Sequence, residues 1–172
     1  MGCYITYEDY TSIYGTEHAP EGRFNLYRIE ASRLIDYMTT GVDGVRKLKE
    51  FYPTNEDDIL IVKTCVCKLV DFLWQVASIE DSAANARGFV VDANGIHGKT
   101  IASRSAGNES ISYASGDSSN ATAFDKAVSD VEARKAQMTD IVRTYLDGIT
   151  DRNGVRLLYL GVYPRIGGDA DV

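Results

Sequence analysis

The chain of 172 residues has no apolar run of membrane-spanning length, no CxxC pair, only two histidines and only three prolines. A bilayer core needs about 20 consecutive apolar residues, so no membrane partner is expected. Cys3, Cys65 and Cys67 are an odd set without a pairing pattern, and the N-terminus lacks the basic and apolar segments of a secretory signal. Free thiols in a protein made inside a cell follow from that usage. Asn108-Glu109-Ser110 and Asn120-Ala121-Thr122 match the glycan acceptor pattern, but without a secretory route they predict only polar loop chemistry. Basic residues number 18 against 25 acidic ones, a net charge of −7. That balance argues against a general nucleic-acid-binding surface, which needs concentrated Lys and Arg.

Chemistry-bearing constellations are missing as well. His18 and His97 have no ligand or triad partner nearby in sequence, and solvent-facing polarity is the expectation for both. Cys65 and Cys67 stand two apart on an expected helix and point in different directions, and Cys65 reads as core. Glu56-Asp57-Asp58 suits the start of a helix better than a metal, and the glycines form neither a dinucleotide fingerprint nor a phosphate loop. No catalytic residue, cofactor or metal is expected.

What is there is mostly helical periodicity. Thr6 followed by Asp9 predicts a capped helix through Ile13, ending before Gly15. Pro20 starts a second, with Phe24, Tyr27, Ala31, Leu34 and Met38 on one stripe that Leu34-Ile35 widens, and a stop at Thr39-Thr40-Gly41. Residues 42 to 52 can form a short helix, and Thr54 can cap a central one from Ile59 to Ser78. A last long helix follows Ser118-Ser119-Asn120, carrying Phe124, Val128, Val131, Met138, Ile141 and Tyr145, and leaves at Asp147-Gly148.

Between the last two helices five glycines separate short candidate strands, Lys99–Arg104 and Ser110–Tyr113, with Gly107-Asn108 to turn the chain. Leu157-Leu158-Tyr159-Leu160 near the end needs a partner or a core. The expected fold is mainly α: a small helical bundle with a β-hairpin insertion around 99–114 and an extended C-terminal segment. Residues 1–150 form the helical core in this reading, and 151–172 the C-terminal segment.

Several ordered blocks carry a resemblance: Tyr4-Ile5-Thr6-Tyr7-Glu8-Asp9-Tyr10, residues 31 to 39, the helix at 59 to 78, Asn108–Tyr113 and Leu157–Gly161. Together the chain resembles the head–tail connector, or adaptor, family of long-tailed bacteriophages. The resemblance implies a homo-oligomeric ring, usually of twelve copies, beneath the portal protein in the virion neck, made in the host cytoplasm. It further implies a docking surface for the next neck, stopper or tail protein and a channel through which genomic DNA passes without sequence-specific binding. Trp74, Ile111, Tyr113, Leu157, Tyr159 and Tyr163 are the candidate interface, with the segment from Val155 to Ile166 as the portal contact. Packing inside the subunit is the alternative for Trp74, Ile111, Tyr113 and Leu157, because apolarity and alternation do not separate core from interface. A tail-terminator or stopper ring is the nearest competing function. A small intracellular enzyme is a more distant one, since its residues would have to converge without a local signature.

Overall fold

The computed structural model describes residues 3–15, 18–92, 95–100, 103–106, 109–112, 127, 128 and 130–164, with 82–112 described by backbone alone. Two units follow from the contacts, one made of residues 1–74 and 136–172 and the other of 75–135.

In the first unit Thr6 and Asp9 exchange hydrogen bonds: the Asp9 N–H donates to Thr6 Oγ1 at 3.1 Å and the Thr6 N–H to Asp9 Oδ2 at 2.8 Å. This capping box satisfies two orphan donors and starts α1, Tyr7–Tyr14, which stops at Gly15 with a φ of 76°. Helix α2 spans Glu21–Met38 behind Pro20 and buries Phe24, Tyr27, Ala31, Ser32 and Ile35. The expected stripe holds at Phe24, Tyr27, Ala31 and Ile35, while Leu34 and Met38 at its edge are half-buried. The short helix is only Lys47–Glu50, α3. Residues 40–46 are taken by a turn, because Gly44 adopts a φ of 81°, incompatible with a helix.

Helix α4, Glu56–Ala86, is longer than its periodicity predicts. Asn55 rather than Thr54 caps it, its Oδ1 accepting from the Asp57 N–H at 2.9 Å. Its stretch 65–73 is buried on almost every side, Lys68 alone being half-exposed, as befits a central helix. The closing helix α5 is Val131–Leu146, with Met138, Val142 and Leu146 buried and Ile141 and Tyr145 half-buried. Phe124 lies outside the described residues. Ile5, Leu48, Val66, Leu69, Leu146 and Leu157 are fully buried; each contributes about 1.5–3 kcal/mol to the fold.

The second unit holds the C-terminal part of α4 and four strands: β1 Arg87–Asp92, β2 Gly95–Thr100, β3 Ser103–Ala106 and β4 Glu109–Ser112. They pair as β1 with β2 and β3 with β4, both antiparallel. The single hairpin insertion expected around 99–114 is not supported. Lys99 and Thr100 pair back onto Gly88 and Arg87, so the expected strand 99–104 is split. The sequence reading overlooked Phe89-Val90-Val91, whose aromatic and β-branched side chains favour extended backbone. Also within this unit the Arg134 guanidinium meets Glu80 at 2.5 Å and donates to the carbonyls of Ala127 and Val128 at 3.0 and 3.1 Å. Among the described residues no helix is long and apolar enough to cross a membrane.

Candidate interaction surface

Two turns of the first unit share one design. Thr40, Asp43, Gly44, Val45 and Arg46 recur in order as Thr150, Asn153, Gly154, Val155 and Arg156. Each turn follows a helix, and each closes by a bridge between its Thr and its Arg. The hydrogen bonds repeat in kind. Gly41 and Asp151 donate to the carbonyls of Val45 and Val155 at 3.0 and 2.8 Å, and Gly44 and Gly154 donate to those of Gly41 and Asp151, both at 2.9 Å. Gly44 and Gly154 sit at φ 81° and 79°, the left-handed region where a Cβ is costly. This self-similarity was legible in the sequence, yet no period of neighbouring helices reveals it.

The chain after the second turn runs as a strap across the first. Leu157 is fully buried, so this predicted interface residue belongs to the core of the chain itself. Beyond it the Val42 N–H donates to the Leu160 carbonyl at 3.0 Å, and the Tyr163 N–H donates to Asp43 Oδ2 at 2.7 Å. The Lys47 ammonium, 1% exposed, donates to the Tyr159 carbonyl. Burial lowers its pKa, against the pull of the Asp43 and Asp151 charges. The bond from the Tyr163 N–H holds Asp43 below the usual carboxylate range. Gly41 allows the close approach, since a Cβ there would lie 2.9 Å from the Gly161 carbonyl oxygen.

Tyr163 fastens the strap to both turns. Its ring stacks on Phe51 at 4.7 Å, its hydroxyl donates to Asp151 Oδ2 at 2.6 Å, and the Asn153 amide donates to that hydroxyl at 2.9 Å. Burial, and next the bond to Asp151, raise the phenol's pKa. With the backbone so tied, the strap presents Tyr159, Leu160 and Val162 to solvent at 49, 54 and 66% exposure.

Beside the strap lies an open groove of about 890 Å³. Leu34, Met38, Val42, Leu158 and Leu160 give it an apolar lining, and Arg33, Arg46, Lys49 and Arg143 give it charge. Asp36 is its one acid, and it accepts the Tyr4 hydroxyl. The arrangement offers desolvation and charge but no nucleophile beside a base. Among the described residues no group of three or more His, Cys, Asp and Glu side chains could hold a metal ion.

No family model, curated protein or solved structure matches the chain. The surface is therefore read from its own geometry.

Of the six candidate interface residues, Tyr159 and Tyr163 lie on the strap, and Leu157 lies in the core. Trp74 is half-buried and tilted against Tyr27 at 6.4 Å, so local packing engages it. Ile111 stands in β4 opposite Arg104, and Tyr113 lies outside the described residues. The groove's four cations were not singled out from the sequence, being scattered over α2, the first turn, α3 and α5. His18 departs from simple solvent polarity: its Nδ1 lies 2.8 Å from Oδ1 of the buried Asp71, 53 residues away. Cys65 and Cys67 are both fully buried, and burial pushes both thiols up to about 12.

Proposed function

We propose that the protein is a structural head–tail connector of a bacteriophage neck. In this role it forms a ring beneath the portal, extends the DNA channel and supplies the docking surface for the next neck or tail protein. The observation that carries the reading is the strap. The Tyr159 and Leu160 carbonyls and the Tyr163 N–H are bonded internally, while the side chains of Tyr159, Leu160 and Val162 stay in water. Exposed apolar side chains on a backbone held in place lose little entropy on docking and gain by desolvation. The mainly helical fold and the ordered sequence blocks support the same role. The insertion region with Ile111 and Tyr113 contacts a neighbouring subunit or the next neck protein in this reading.

Tyr159→Asp tests the docking face, because the bond to Lys47 uses the backbone carbonyl and survives the substitution. Binding to purified portal protein, followed by light scattering, should weaken by at least about tenfold. Particles lacking the protein should keep the portal and fail to acquire the next neck component. Normal recruitment of that component would sink the assignment, and attachment at a later layer would turn it into a stopper or tail terminator.

A further inference from the structure

The groove beside the strap carries four cations against one acid, Asp36. Arg33, Arg46, Lys49 and Arg143 are all exposed, and none forms an ion pair with a described residue. Four cations gather around one apolar lining in a chain whose net charge is −7. A surface of that kind fits a segment in which acidic side chains flank an apolar one.

The same chain displays such a segment. Glu56 and Asp57 are exposed in the first turn of α4 and pair with no described cation. Leu60 is 59% exposed, four residues after Glu56 and three after Asp57, hence on the same helical face. The helix dipole accounts for acids at this end. It does not account for a leucine standing in water beside them.

We propose that the groove receives the Glu56–Leu60 face of a second copy, with Leu60 entering the apolar lining and the two carboxylates meeting the cations at its edge. The two surfaces differ, so the contact is heterologous and passes from copy to copy until the rotation closes. This inference rests on the ring in the proposed function and names the surfaces that build it.

A charge exchange tests it. Arg46→Glu with Arg143→Glu makes one variant, Glu56→Lys with Asp57→Lys the other, and circular dichroism verifies that both fold. Sedimentation velocity at low ionic strength should show wild-type self-association, weakened by added salt. Each variant alone should associate at least about tenfold more weakly, about 1.4 kcal/mol. An equimolar mixture should recover the wild-type assembly, because each variant's altered surface then meets its complement. Assembly of either variant at wild-type strength, or a mixture that does not recover, overturns the contact and leaves the ring standing. Recovery in a closed dimer carries the contact and sinks the ring. A wild-type protein that stays monomeric at every concentration overturns both. Loss of portal binding in the groove variant, with self-association unchanged, assigns the groove to a partner protein and overturns the proposal.

Discussion

Tyr163 joins three segments that are remote in sequence: its N–H reaches Asp43, its ring lies on Phe51, and its hydroxyl meets Asp151 and Asn153. Tyr163→Phe keeps the stacking and the backbone bond while removing the hydroxyl from a carboxylate that is only 4% exposed. A hydrogen bond to a charged group contributes about 1.5–3 kcal/mol, and the half-exposed position places the loss near the lower end. Thermal unfolding should fall by a few degrees, and an unchanged midpoint would mean that water replaces the phenol at no cost. The sequence marked Tyr163 as aromatic and near a contact segment, but its partners are folding products. His18 and Asp71 teach the same point, since no local pattern announces a pair formed across 53 positions. The Thr6–Asp9 capping box was fully legible because everything it needs lies within four residues.

At the scale of elements, the two matched turns set the direction in which the chain leaves α2 and α5. Gly44 and Gly154 have open space where a Cβ would stand, so an alanine there meets only backbone strain. Gly44→Ala and Gly154→Ala should each lower stability by about 1–2 kcal/mol, read from the urea midpoint. Gly41→Ala should cost more, because the added carbon meets the Gly161 backbone oxygen of the strap and not merely a flexible side chain. Equal losses at all three positions would argue against close contact between turn and strap. Helix existence was readable from periodicity, and so were the ends of α1 and α2 and the exit of α5, where caps, Pro20 or glycine mark them; the bounds of α3 and α4 were not. Asn55 displaced Thr54 as cap, and α4 continued past Ser78 although its apolar stripe fades there. The strand pairing eluded the sequence for a different reason. Short extended segments can choose among several partners, and glycine-rich registers choose weakly.

For the whole molecule, buried acidic protons set the behaviour in alkali. Burial, followed by the neighbouring Cys67, pushes the Cys65 thiol from 9.0 up to about 12; burial, followed by Asp9, does the same for Cys67, and burial raises Tyr10 from 10.0 to about 12. The folded chain thus holds protons that the unfolded chain gives up, so the stability they contribute is complete below pH 9 and is lost as pH rises toward 12. Each thiol adds a slope of about 1.4 kcal/mol per pH unit within that window. Lys47 acts in the opposite sense, as its lowered pKa relieves a burial penalty on raising pH, but it is one group against several. Urea midpoints should hold level to about pH 9 and then decline steeply, and Cys65→Ala with Cys67→Ala should flatten the decline. The core that causes this was half readable: Cys65 followed from the apolar stripe, whereas the burial of Cys67 and Leu157 depends on neighbours brought from far along the chain. That distance also sets a timetable for synthesis. Lys47 and the Tyr159 carbonyl are 112 residues apart, on the order of 10 s of ribosome travel. Through that interval the first turn has been made but its strap has not, so the Lys47 ammonium stays hydrated and the site for Leu157 stays open. The nascent chain passes through a stage with its core uncovered, when a chaperone has the most to hold.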